Sequence, residues 1–157
     1  MTGFSPNVQK PAELATHPEL VVIPVQWGDQ DAFGHVNNIV YFRWFETARV
    51  EYLHRAGLGQ MMSGTGIGPI LASIKCDFKR QLNHPDTILV SASITHIGRT
   101  SLKMAHLLYS QAQGAIIAQG DSTIVCFDYA NQRPTPVPPE VRAKIEQMEG
   151  RSVDEPG

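Results

Sequence analysis

Between Ile70 and Tyr129 the chain passes through four long strand-like segments, at about Ile70–Gln81, Thr87–Ile97, Ser101–Gln111 and Ala115–Tyr129. The stretches between them, NHPD, IGRT and QGA, are turn chemistry and little else. Connections this short reverse the chain, so successive segments form antiparallel hairpins. An earlier β-branched run, ELVVIPVQ from Glu19 to Gln26, supplies one more strand; Pro24 within it has no N–H to donate, which fits an edge position or a bulge. A sheet of this kind needs its apolar face covered. The chain has one long helical pattern, Asn38 to Ala56, and that helix must therefore lie across the sheet.

The helical pattern is broadly apolar. Tyr41, Phe45, Ala48 and Tyr52 fall on one stripe, and Phe42, Glu46, Arg49 and Leu53 on the stripe beside it. Arg43, Thr47, Glu51 and His54 lie roughly opposite, so most of the helix should be buried. Gly57 is placed to end it in a left-handed conformation. The glycine-rich SGTGIGP reads as a linker to the next strand, and the proline-rich tail leads into a short helix starting near Pro138 or Pro139. The expected organisation is a loose N-terminal arm over 1–17, one domain over 18–148 and a frayed tail over 149–157. The other face of the sheet also needs cover or a partner, which oligomerisation would supply, and a dimer that extends the sheet edge to edge would also protect exposed strand edges.

The polar loop GDQDAFGHVNN sits directly before the apolar helix, and the join has a chemical logic. A carboxylate before a helix can attack a carbonyl or activate water. The first amides of the helix lack intrahelical partners and carry partial positive charge, which suits a developing oxyanion. A plainer role is open to each residue. Asp29 and Asp31 suit a turn or cap, and Asn37 and Asn38 are good N-cap types. His35 either orients water and substrate or bonds the loop backbone, and Gly34 allows close backbone approach or a positive φ.

The pattern D-x-x-G-H-V-N-N-x-x-Y, continued by E-x-x-R, resembles the hotdog-fold acyl-CoA thioesterases, and most of all the 4-hydroxybenzoyl-CoA and long-chain acyl-CoA group. It is carried by Asp31, Gly34, His35, Val36, Asn37, Asn38, Tyr41, Glu46 and Arg49, and supported by the later segment from Phe127 to Pro138. The resemblance implies an α+β hotdog: a five-stranded antiparallel sheet wrapped around one long central helix, with a short C-terminal helix. It also implies homodimers or dimers of dimers with sites between subunits, and an acyl-CoA substrate that brings coenzyme A with no separate cofactor. It assigns the reacting carboxylate to Asp31 rather than Asp29, and the oxyanion donor to the amide near Asn38. His35 and Asn37–Asn38 stand where the 4-hydroxybenzoyl branch is more apolar or aromatic, so its aromatic substrate does not carry over. Glu46 and Arg49 are three apart on the apolar arc and read as a buried or half-buried pair. Glu46 as a second catalytic carboxylate is the rival, because another hotdog branch carries its carboxylate on this helix.

Coenzyme A phosphates need cations. Arg99 and Lys103, near the IGRTS turn, are the first candidates, followed by Lys79, Arg80 and Arg133. Met61, Met62, Phe42 and Phe45 are available to line an acyl tunnel, although such residues are more often core. The GTGIG run follows a helix and precedes a strand, the reverse of a dinucleotide loop. Scattered histidines imply no metal. A net charge of −2 without a basic stripe gives no reason to bind nucleic acid, and no apolar run reaches membrane-spanning length. The start of the chain lacks a leader pattern, and Cys76 and Cys126 read as free thiols, so a cytoplasmic location is expected. Two further activities fit the same residues: a hydratase or dehydratase using Asp31 with His35, although its D-x-N-P-x-H pattern is missing, and a non-catalytic acyl-CoA-binding module.

Overall fold

A computed structural model describes residues 9–58 and 66–153. In order it contains β1 (Glu19–Pro24), α1 (Asn38–Arg55), β2 (Ile67–Phe78), β3 (Thr87–Ile97), β4 (Ser101–Ser110), β5 (Ala115–Asp128), β6 (Arg133–Pro134) and α2 (Pro139–Glu149). Short 3-10 turns occupy Ala12–Leu14 and Trp27–Asp29. The strands form one antiparallel sheet in the order β1-β3-β4-β5-β2, and the two-residue β6, absent from the five-stranded expectation, adds to β5. β1 is an edge strand ending at Pro24, where the missing N–H costs no ladder bond.

α1 joins β1 at one edge to β2 at the other and so must cross the sheet. Its expected stripe of Tyr41, Phe45, Ala48 and Tyr52 is buried, together with Trp44 and Leu53. The Phe45 ring stacks on His106 of β4, with centroids 4.9 Å apart and planes 17° from parallel. β5 passes below the same ring at Gly120, where a Cβ would lie 2.6 Å from Phe45. The curled sheet and the central helix make this an α+β hotdog. Gly57, at φ 92°, closes α1 in the conformation a side chain would resist.

Three expectations change. β2 begins at Ile67, so the second half of the glycine-rich run is strand rather than linker, held by pairing of Ile67 with Asp128 and Gly68 with Phe127. The inner part of the N-terminal arm is docked: Leu14 is buried with Leu20 and Leu89 on the outer face, and His17 Nδ1 lies 2.6 Å from Ser91 Oγ. The tail is packed as far as Val153, which is buried and accepts a hydrogen bond from the Ile97 amide. α2 is fastened by Glu149, whose carboxylate accepts from Tyr52 Oη at 2.7 Å, Ser93 Oγ at 2.9 Å and the Ile94 amide at 2.7 Å. Cys76 and Cys126 are free thiols. No helix among the described residues is long and apolar enough to cross a membrane.

Candidate active site

The loop from Gln26 to Asn37 is closed by its own short hydrogen bonds. The Gln26 amide donates to Asp29 Oδ2 at 2.8 Å, fixing the 3-10 turn. The Asp31 amide donates to the His35 carbonyl at 2.9 Å, and the Gly34 amide to the Asp31 carbonyl at 3.0 Å, with Gly34 at φ 82°. Asp31 is half-buried within this turn. Its Oδ1 accepts from the Phe33 amide at 2.9 Å and its Oδ2 from Asn37 Nδ2 at 3.3 Å. The carboxylate thus has the turn role that aspartate commonly fills, and it is aimed by that role toward the start of α1.

Asn37 is the N-cap: its Oδ1 accepts from the Ile39 amide at 3.0 Å, and its carbonyl from the Val40 amide at 3.0 Å. The Asn38 amide has no acceptor among the described residues. It is the orphan donor that the start of an 18-residue helix leaves over. Asn38 lines a cavity of about 240 Å³ with His35, Tyr41, Phe78, Lys79 and Arg80. Tyr41 and Phe78 meet edge-on within it, with centroids 4.9 Å apart. Burial, helped by the neighbouring Cys76 thiol, pushes the Tyr41 phenol up to about 12, so it keeps its proton at neutral pH. The His35 ring is half-buried and makes no hydrogen bond among the described residues; only its carbonyl serves the loop. Asp31 does not itself line the cavity, but it is bonded to His35, which does.

The connection from β2 to β3 braces this loop, a role the sequence did not disclose. Asn83 Nδ2 donates to the Gly34 carbonyl at 2.6 Å, the His84 amide to Gln30 Oε1 at 3.1 Å, and the Val36 amide to the Leu82 carbonyl at 2.8 Å. Read alone, NHPD is a turn, and nothing in it or in the leucine before it marks Asn83 or Leu82 as supports for a distant loop.

Of the candidate cations, Lys79 and Arg80 reach the cavity, just past the end of β2. Arg99 is exposed on the β3–β4 turn, Lys103 lies on β4 and Arg133 on β6; none of them lines it. Glu46 is not half-buried as expected. Its side chain is 66 % exposed and its carboxylate stands 4.0 Å from Arg49, at the limit of an ion pair. Arg49 is the buried partner, its Nη1 without an acceptor among the described residues, and burial draws its guanidinium below the usual value while Glu46 opposes. Phe45 is core, Phe42 packs edge-on toward Phe78 at 6.5 Å, and neither lines the cavity. Met61, Met62 and Gly64 lie outside the described residues. A larger cavity of about 350 Å³ sits at the other end of α1, beside Gly57, Pro138 and Lys144, and none of the residues of the Asp31 loop lines it. No three His, Cys, Asp or Glu side chains gather to hold a metal among the described residues.

Residues 25–145 match the model of the thioesterase-like superfamily. The chain is 25% identical over 118 residues to the long-chain acyl-CoA thioesterase FadM of Escherichia coli, spanning 75% of this chain and 89% of that one. It is 22% identical over 131 residues to the acyl-CoA thioesterase YbgC of Haemophilus influenzae, spanning 80% and 93%. Among solved structures, a thioesterase from Thermus thermophilus in complex with coenzyme A and zinc superposes with a TM-score of 0.76 at 30% identity, covering 87% of this chain and 97% of that one.

Proposed function

Since the chain belongs to the thioesterase-like superfamily, we propose that it hydrolyses an acyl-CoA thioester to a free acid and coenzyme A. One observation carries the reading: the unpaired amide of Asn38 belongs to a residue lining a cavity, at the end of a loop that presents a fixed carboxylate. The reaction needs both parts. As the carbonyl carbon is attacked, its oxygen takes negative charge, and the helix-start amide of Asn38 stabilises that charge. Asp31 either attacks the carbon or removes the proton from the attacking water. The carbon–sulfur bond then breaks and the thiolate leaves with coenzyme A. In the nucleophilic route water afterwards opens the acyl-aspartyl anhydride. Gly34, at positive φ, lets the loop turn back so that the His35 carbonyl meets the Asp31 amide and Asn37 Nδ2 meets the carboxylate. The protonated Tyr41 hydroxyl supplies a neutral donor on the cavity wall.

Lys79 and Arg80 at the cavity supply the charge that coenzyme A phosphates require, which favours them over Arg99, Lys103 and Arg133 within one copy. The relatives FadM and YbgC are acyl-CoA thioesterases and the Thermus protein binds coenzyme A, in keeping with this substrate. The working form is a homodimer or a dimer of dimers, and its free thiols fit the cytoplasm.

Purified protein offered short, long and aromatic acyl-CoAs should release free thiol from at least one of them. Hydration of an enoyl-CoA without thiol release would replace the reading with a hydratase, and acyl-CoA binding without either product would replace it with a binding module.

A further inference from the structure

Among the described residues that line the Asn38 cavity, Tyr41 alone is both polar and buried. It is 3% exposed, and its ring is wedged with centroids 5.5 Å from Trp44 and 4.9 Å from Phe78. Those contacts fix the ring and leave the hydroxyl to find a partner. It bonds nothing among the described residues, whereas the other buried tyrosine, Tyr52, donates to Glu149 at 2.7 Å. The neighbouring Cys76 thiol offers little, because burial pushes it up to about 11 and an uncharged sulfur accepts weakly. A buried hydroxyl without an acceptor is costly, and folded proteins keep few of them. A ligand that brings an acceptor into the cavity removes the cost.

The position of Tyr41 says which acceptor. It follows Asn38 by three places on α1, so the two share a face. Side chains on a helix lean toward its N-terminus, which carries the Tyr41 hydroxyl toward the Asn38 amide. That amide is equally without an acceptor among the described residues. Two unused donors from one turn of helix therefore border one cavity.

We infer that Tyr41 is a catalytic residue, its hydroxyl donating to the thioester oxygen beside the Asn38 amide. The inference rests on the reading of this cavity as the active site. When the carbonyl carbon is attacked, the π electron pair moves onto the oxygen. It returns as the carbon–sulfur bond breaks and the thiolate leaves with that bond's pair. Tyr41 keeps its proton throughout, and its hydrogen bond is strongest while the oxygen is charged. A phenol pushed up to about 12 suits the task, since it donates at neutral pH without giving the proton away. The other donors on the wall suit it less. Lys79 and Arg80 are exposed, and His35 is half-buried on the loop rather than on the helix. A neutral donor also gains as the oxygen becomes charged, so its effect falls on the transition state more than on the bound substrate.

Tyr41→Phe keeps the ring and removes only the hydroxyl. On an acyl-CoA that the native protein cleaves, the variant should lose about 10²–10³-fold in kcat, with KM close to native. Its urea midpoint should be no lower than native, because the hydroxyl has no protein partner to lose. A thioether analogue of the substrate, which has no carbonyl oxygen, should bind both forms equally. A kcat near native, a raised KM at unchanged kcat, or weaker binding of the thioether would each overturn the role. A variant that unfolds would overturn it too, by revealing a structural partner of the hydroxyl. A native protein that releases no thiol from any acyl-CoA overturns the enzymatic reading and this inference together. Native turnover matched by Tyr41→Phe overturns only the part played by Tyr41.

Discussion

His106 shows how one buried residue sets a pH limit on the fold. Its ring is fully buried under Phe45, with Nδ1 3.1 Å from the Ser91 carbonyl and Nε2 3.0 Å from Ser122 Oγ. A carbonyl only accepts, so Nδ1 carries the proton and Nε2 accepts from the serine. Burial lowers the ring from 6.5 to about 4, only partly offset by the Ser91 bond. The unfolded chain therefore binds the proton first as pH falls. Stability should be full above pH 6.5, decline between 6.5 and about 4, and level off below. The loss from this group is about 3 kcal/mol, at about 1.4 kcal/mol for each pH unit between the two values. Denaturant unfolding at several pH values should show this dependence in the native protein and lose most of it in His106→Asn; equal slopes in both would contradict the assignment. In the candidate-site loop, the turn role of Asp31 and the N-cap role of Asn37 were legible because aspartate and asparagine before a helix have few structural roles. Asn83 and Gln30 were not, since each acts through one side-chain amide group on a segment about fifty residues away.

Among the elements, α2 depends most on a single contact. Glu149 draws together Tyr52 of α1 and Ser93 and Ile94 of β3, and its hydrogen bond, after burial, helps hold the Tyr52 phenol far above its usual range. Glu149→Ala would strip three donors of their acceptor. It should lower stability by about 2–4 kcal/mol, seen as a lower urea midpoint at unchanged m-value. A change under about 0.5 kcal/mol would show that water replaces the carboxylate. The hairpins β3–β4 and β4–β5 followed from their short turns, and α1 from its 3.6-residue pattern, because local signals suffice for both. The start of β2 did not, because glycines signal a loop and only the far end of β5 makes Ile67 and Gly68 a strand. Leu14 was equally silent: a single leucine in a proline-containing segment has no period to reveal what it covers.

For the whole molecule, the sheet order puts β1 and β2 at opposite edges, and this one topological fact positions the candidate site. It forces α1 across the sheet and so aims the start of the helix at the loop that holds Asp31. It also leaves β2 uncovered beside the cavity. The exposure of Glu46 belongs to this scale. Periodicity assigned it to the apolar arc, but its side chain is exposed while Arg49 and Leu53 of the same stripe are buried. The account depends on the Asp31 carboxylate acting next to the free amide of Asn38, and Asp31→Asn tests it with little change to the loop, since asparagine still offers an oxygen to the Phe33 amide. With binding measured on a non-hydrolysable acyl-CoA analogue and turnover by thiol release, the variant should bind within a few-fold of the native protein and turn over about 10²–10⁴ times more slowly. Turnover close to the native rate, in a variant that binds normally, would contradict it.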